Sequence, residues 1–378
     1  MLSTPSDFEL TFDVAIPAPG RVYRGHRILE WVPLTVLGSR VLVIGGERSL
    51  VGVRPALERN FARDPGIQAY WTTYGVDCSE SELGRLQALA TAEQITGILG
   101  VGGGKALDTS KLVAHRLQLP IVTVPTSAAT CAAWSALSNI YSDAGAFQRD
   151  VALDKAPDAL ILDYDLIRQA PLRTLVAGIG DALAKWYESS VSSGASNDAL
   201  VIGAVQQARI LRDLLLQGSL AALQEPGGVA WKQVVDACIC LAGIVGGMGG
   251  AKCRTVAAHA VHNGLTHLLG HRATLHGEKV AFGILAQLRL EEILQGSQLA
   301  LAARTQLMEF YRQVGLPLSL RDLHLAHLGA TELLRAAQVA CQTGSDIHHL
   351  PFPVSPEALL VALTTTDLTS SSPVAPRV

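Results

Sequence analysis

The chain is predicted to fold as a parallel α/β sheet followed by an all-α half, and three observations carry that expectation. Over roughly the first 165 residues, short β-branched runs alternate with amphipathic segments. Beyond that point the strand-like runs stop. Long Ala/Leu-rich stretches with helical spacing then take over.

The elements follow in order. Val41-Leu42-Val43-Ile44 ends in Gly45-Gly46, residues 95–99 end in a glycine run, Ile121-Val122-Thr123-Val124 ends in Pro125-Thr126, and Ala159-Leu160-Ile161-Leu162 ends in Asp163. Each is a buried-strand pattern closed by turn residues. Residues 135–141, followed by Asp143-Ala144-Gly145, read as a further strand entering a turn. Helical spacing marks residues 106–117 in the first half, then 175–190, 199–216, 231–244, 256–269 and 285–294. The last dozen residues, with Ser370-Ser371-Ser372-Pro373, read as a frayed tail. With no internal repeat or low-complexity linker, the expected domains are 1–165 and 166–378, divided by a change of fold rather than a hinge.

Composition narrows the function classes. With 378 residues, 49% hydrophobic and 17% charged, the chain has material for two sizeable cores. A net charge of −3 and a pI near 6.4 give no electrostatic footprint for nucleic acid or an anionic membrane. No uninterrupted apolar run reaches the roughly 18 residues of a membrane span. The nearest, residues 237–248, is short and glycine-rich, so it reads as a buried helix. The N-terminal stretch lacks a basic segment followed by an apolar core, so no secretory signal is expected. Six scattered cysteines without a C-x-x-C pair suit a reducing cytoplasm and make no thiolate zinc site.

Chemistry is concentrated first in Gly100-Val101-Gly102-Gly103-Gly104-Lys105-Ala106-Leu107-Asp108. Glycines between a strand and a helix let backbone N–H groups approach an anion at the positive end of the helix. Two familiar phosphate motifs fail here. The P-loop needs Ser or Thr after its lysine, where Ala106 stands, and a first glycine, where Leu99 stands. The dinucleotide fingerprint needs a sixth-position glycine, and Lys105 occupies it. The run is therefore a phosphate cradle of another kind or a bare tight turn.

The helical half holds three groups of metal-type donors. Gly178-Ile179-Gly180-Asp181 is read as opening a helix at Ala182, which makes Asp181 either a ligand or an N-cap. His259 and His262 lie three residues apart on one face of an apolar helix, where a buried imidazole needs a hydrogen bond or a metal. His276-Gly277-Glu278 reads as loop before a helix from Val280, where a histidine is usually solvated. One carboxylate and two imidazoles would form a three-donor set with an open position, as catalytic zinc sites have.

Gly102-Gly103-Gly104-Lys105-Ala106-Leu107-Asp108-Thr109, Gly180-Asp181-Ala182-Leu183-Ala184, His259-Ala260-Val261-His262-Asn263-Gly264 and Leu275-His276-Gly277-Glu278-Lys279-Val280 together resemble the iron-containing alcohol dehydrogenase superfamily, and within it the glycerol dehydrogenase branch. The resemblance implies a Rossmann-like first domain and a helical second one, the dehydroquinate synthase-like architecture, with the site in the cleft between them. It implies metal ligation by Asp181, His259 and His276. Lys185, where some branches place a further histidine, agrees with the three-ligand branch that uses Zn²⁺, with Fe²⁺ as the alternative. The NAD or NADP pyrophosphate is expected on Gly103, Gly104 and Lys105, with Asp108 nearby. Thr126, Ser127, Ser135, Leu137 and Tyr141 are expected to flank the rest of the cofactor, and His262 to stand beside the metal as a supporting or proton-relay group. Relatives assemble through the N-terminal domain, which implies a homo-oligomer.

Two departures bear on the substrate and the cofactor. Cys131, in Thr130-Cys131-Ala132-Ala133-Trp134, stands where the polyol branch carries a substrate-binding aspartate. That run is similar instead to hydroxycarboxylate dehydrogenases of the same superfamily, and loss of a negative charge suits an anionic substrate. Gly46 stands where the branch has a ribose-binding aspartate, and Glu47 and Arg48 leave the choice between NAD and NADP open. The expected function is hydride transfer between nicotinamide and a small 2-hydroxy acid or 2-oxo acid. Glycerol-type polyols are the alternative. A dehydroquinate synthase-type lyase is the alternative of another class, drawing on Lys252, Arg254, His271 and Arg272.

Overall fold

The structure is a computed structural model and describes residues 15–368. Its sheet is built from β1 (Val22–Gly25), β2 (Arg40–Gly45), β3 (Gln68–Thr73), β4 (Gly97–Gly102), β5 (Ile121–Pro125) and β8 (Ala159–Asp163). All the pairings are parallel, in the order β1-β8-β5-β4-β2-β3. A separate antiparallel hairpin joins β6 (Leu137–Tyr141) to β7 (Phe147–Ala152). Crossover helices α1 (Glu47–Phe61), α2 (Glu80–Ala92) and α3 (Gly104–Leu117) connect the parallel strands.

Burial explains which strands the sequence announces. β2, β4, β5 and β8 lie inside the sheet, covered on both faces, and so read as apolar runs. β1 and β3 form the edges and β7 is largely exposed, so no apolar run marks them. The glycine run also divides differently from the expectation. Gly100 and Val101 are strand residues paired with Thr123 and Val124, and the turn is confined to Gly102–Gly104. Gly100 is needed inside the strand because a Cβ there would sit 2.6 Å from Ser110 Cβ of α3.

After β8 the described chain is helical: α4 (Tyr164–Ile167), α5 (Leu172–Ser193), α6 (Ala199–Gln224), α7 (Val229–Asp236), α8 (Ala242–Gly249), α9 (Ala257–Leu265), α10 (His276–Gln295), α11 (Gln298–Val314), α12 (Ala330–Ala340) and α13 (Pro356–Thr364). A π turn at Ala237–Leu241 joins α7 to α8. The joined helix, Val229–Gly249, is long and apolar enough to cross a membrane, with mean hydropathy 1.5. More than half of it is buried inside the protein, around Trp231, Val234, Cys238 and Ile239. The largest buried cluster runs from Leu107, Leu160 and Leu162 of the sheet half into α5, α6 and α10, so the two halves share core.

Two helix boundaries correct the sequence reading. Asp181 does not open a helix: α5 begins at Leu172, after Pro171, and Asp181 lies well inside it. His276 is not a loop residue but the first residue of α10. The glycines misled in both places because they serve packing rather than chain reversal. A Cβ on Gly180 would lie 2.7 Å from the Gly277 carbonyl oxygen, and one on Gly277 would fall well inside contact with Ala177 of α5. The backbones of α5 and α10 touch here. The expected tail falls outside the described residues from 369 onward, as does the N-terminal stretch 1–14. Residues 366–368 are tied down, since Arg304 donates to the Thr366 and Leu368 carbonyls at 2.6 and 3.1 Å.

Gly277→Ala should therefore force α5 and α10 apart. Thermal unfolding should show a loss of about 1–3 kcal/mol, the usual cost of overpacking, together with reduced metal retention.

Candidate active site

Contact between α5 and α10 brings the donor residues together. Asp181 comes from α5, His259 from the first turn of α9, and His276 from the start of α10. One donor atom from each lies within 4.8 Å of the other two. His276 Nε2 and His259 Nε2 are 3.1 and 3.5 Å from Asp181 Oδ1.

The far side of each imidazole is also held. Glu188, fully buried two helical turns after Asp181, accepts from His259 Nδ1 at 2.6 Å. Its other oxygen accepts the backbone N–H groups of Val256 and His259 at 2.7 and 3.0 Å. His262 Nδ1 donates to Asn263 Oδ1 at 2.9 Å, so His262 Nε2 accepts from His276 Nδ1, also at 2.9 Å. Both rings thereby keep a proton on Nδ1 and face Asp181 with Nε2, which donates to the acid when the ring is protonated and offers a lone pair when a cation replaces that proton. Glu188 was missed in the sequence, although its spacing of seven from Asp181 places both on one helix face.

The electrostatics favour positive charge at the cluster. Burial opposes ionisation of Asp181, but hydrogen bonds from His259 and His276 outweigh it and hold the acid well below its ordinary range. Burial also opposes charge on His259, yet Glu188 and Asp181 raise its pKa to about 9. His262 is driven the other way, well below the usual value, by burial and by His276 and Lys279. A pocket that draws a proton onto His259 also stabilises a divalent cation, which would bind in place of that proton. The nitrogen and oxygen donor set fits such an ion.

The cluster lines a cleft of about 370 Å³. The same cleft is lined by Gly103, Gly104, Lys105, Asp108, Ser127, Cys131, Ser135, Leu137 and Tyr141. Thr126 and His262 do not line it: the Thr126 hydroxyl meets Ser49 Oγ at 3.1 Å, and His262 lies behind His276. His262 thus reaches the cluster through His276 rather than through the cleft. Trp134, singled out with Cys131, faces elsewhere. Its indole packs on Gly243 and donates to the Pro17 carbonyl at 2.9 Å.

At the glycine turn, Gly102 takes φ +144° and Gly103 precedes α3 with no side chain to cap it. The first-turn N–H groups of α3 therefore face outward, as an anion cradle requires. Lys105 Nζ bonds Asp77, and the buried Asp77 also receives Arg272 Nη2 at 2.8 Å. Asp108 pairs with buried Lys111 at 3.2 Å, and Lys111 donates to the Ser135 carbonyl at 3.1 Å and to that of Leu137. Asp108 thus shapes the cleft wall through Lys111. Glu47 and Arg48 are exposed at the start of α1, outside the cleft lining.

A family model for iron-containing alcohol dehydrogenases matches residues 19–164. An uncharacterised oxidoreductase of Synechocystis sp. is 56% identical over 92% of this chain and 90% of its own. The glycerol dehydrogenase of Escherichia coli is 36% identical over 94% and 97%. The chain belongs to the iron-containing alcohol dehydrogenase family. Hydroxycarboxylate dehydrogenase A of Escherichia coli is 38% identical over 86% of this chain and 88% of its own. The solved structure of a probable glycerol dehydrogenase from Sinorhizobium meliloti superposes with TM-score 0.82 at 31% identity, covering 93% of this chain and 98% of the other. This iron-containing alcohol dehydrogenase is an oxidoreductase of the alcohol dehydrogenase type acting on a small molecule, and NAD(P) and a metal are the cofactors typical of its family.

Glu188→Gln replaces the acceptor at His259 Nδ1 with an amide that can turn an N–H against it. Metal affinity, measured by chelator competition, should weaken about 10–100-fold while the melting curve shows a folded protein.

Proposed function

We propose that this protein transfers hydride between a nicotinamide cofactor and a small 2-hydroxy acid or its 2-oxo acid. The observation carrying the acid reading is Cys131. It lines the cleft beside the Asp181–His259–His276 cluster, in the place where the glycerol dehydrogenase branch has an aspartate. Burial pushes its thiol pKa up, so this wall carries no negative charge. The similarity to a hydroxycarboxylate dehydrogenase points the same way. A polyol substrate is the second reading, favoured by the glycerol dehydrogenase relatives. The lyase alternative draws no support from these relatives.

Asp181, His259 and His276 would hold the metal, with zinc the ion that this donor set and branch favour. When bound, the nicotinamide exchanges hydride with the carbinol carbon and the ion polarises the substrate oxygen. Around those groups the chain's own residues orient and insulate. The first-turn amides after Gly103, together with Lys105, would bind the diphosphate. Lys111 holds the backbone of Ser135 and Leu137 against the cleft. His262 keeps the His276 proton on Nδ1, away from the cluster. The glycine-turn half, 1–165, would serve the cofactor and the helical half, 166–378, the metal; NAD and NADP are both admitted by Glu47 and Arg48.

Asp181→Ala should abolish bound metal, by elemental analysis, and activity together; activity retained without metal would refute the site. On metal-analysed enzyme, with NAD(H) and NADP(H), steady-state kinetics should give higher kcat/KM for 2-oxoglutarate, oxaloacetate or 2-oxobutyrate than for dihydroxyacetone. Glycerol turnover at a lower KM than any 2-oxo acid would overturn the acid reading in favour of the polyol one.

A further inference from the structure

Lys185 is a buried cation that the cofactor reading leaves unused. It lies one helical turn after Asp181 on α5, on the same face, with only 5% of its surface exposed. Its ammonium has three donors, and its one hydrogen-bond acceptor among the described residues is the Arg254 carbonyl at 3.2 Å. No carboxylate lies within 4.0 Å of it among those residues. A desolvated ammonium with a single neutral acceptor is incompletely partnered.

Its surroundings define what would complete it. Lys185, Arg254, Cys131 and the three donor residues all line the same cleft. The Arg254 guanidinium makes no hydrogen bond or ion pair among the described residues. Cys131 contributes a thiol, and Asp181 Oδ1 faces the two histidines at 3.1 and 3.5 Å. The cleft's other carboxylates are Asp108, paired with Lys111 at 3.2 Å, Asp150 and Asp346. Asp346 is bonded by Thr255 and lies 3.8 Å from His349 Nδ1. The side of the cleft holding Lys185 and Cys131 therefore offers an ammonium with no carboxylate at ion-pair distance among the described residues, Asp181 acting on it only from one helical turn away. An uncharged polyol would leave that ammonium dry and unpaired, whereas a carboxylate would pair with it.

We propose that Lys185, next to the donor cluster, is the anchor for the carboxylate of the substrate, with Arg254 at its side, so that a 2-oxo acid is held at its oxo oxygen by one end of the site and at its acid group by the other. The proposal rests on the acid reading and assigns that selectivity to one side chain. The histidine that some branches place here would not supply the same fixed charge.

The test uses the metal-loaded enzyme and its Lys185→Met and Lys185→Arg variants. Metal content and melting temperature are measured first, to show that each variant is folded and loaded. Oxalate serves as a non-reacting carboxylate probe, with its Kd measured by calorimetry, and selectivity is kcat/KM for a 2-oxo acid divided by that for dihydroxyacetone. Lys185→Met should weaken oxalate and lower selectivity, each by about 100-fold, as loss of one partner of a desolvated charge pair does, with the loss in KM rather than kcat. Lys185→Arg should recover much of both. Wild-type reduction of 2-oxo acids with Lys185→Met unchanged would overturn the anchor and leave the acid reading standing. A proportional fall on acid and ketone would also overturn it, marking a structural role. A wild-type enzyme that neither reduces a 2-oxo acid nor binds oxalate would remove the reading and the anchor together.

Discussion

Two carboxylates buried on one face of α5 are the constraint on which the site depends. Asp181 and Glu188 have 3% and 0% of their surface exposed, a costly position for charge unless it is compensated. Compensation comes from every direction. Glu188 takes a histidine ring and two backbone amides, Asp181 takes two histidines, and Lys185 sits between them on the same helix. The arrangement remains short of positive charge, as the raised pKa of His259 shows. Electrostatically, the protein is built around a cation. The glycines at 180 and 277 are the geometric side of the same demand, because only bare backbones let α5 and α10 close on the cluster.

Much of the fold was legible because burial leaves a readable trace. Interior strands such as β2 and β5 must be apolar on both faces, and their limits were read almost to the residue. β1, β3 and β7 carry mixed residues and depend on a neighbour distant in sequence. Val22 pairs with Leu160, for example, and nothing local to Val22 indicates it. The helix limits at Asp181 and His276 failed for a related reason. Glycine within a helix looks like a stop until the second backbone that requires it is known.

At the site, residue type, spacing and the family resemblance singled out candidate side chains, and the described structure gathers nearly all of them into one cleft. What spacing could not show was partnership. Glu188 acts on His259, seventy-one residues away, and Asp77 joins Lys105 to Arg272 across the two halves. Trp134 shows the converse: three residues after Cys131 in sequence, it packs against Gly243 and donates to the Pro17 carbonyl instead of lining the cleft.

Cofactor cradle and donor cluster are each internally over-determined, the first by the glycines and α3, the second by three helices and their buried hydrogen bonds. The residues between them are not. Cys131 hangs on the loop after β5, in the sheet half, and Lys185 projects from α5, in the helical half. Neither is one of the three donor residues nor part of the glycine turn. A family with this architecture can therefore change its substrate at the seam while keeping its chemistry. The shared core beneath the seam, from Leu160 and Leu162 to Ile179 and Leu183, keeps the two sides in register as they diverge. Under the acid reading proposed above, substrate choice would follow the charge that the seam presents, here the Lys185 ammonium beside the Cys131 thiol.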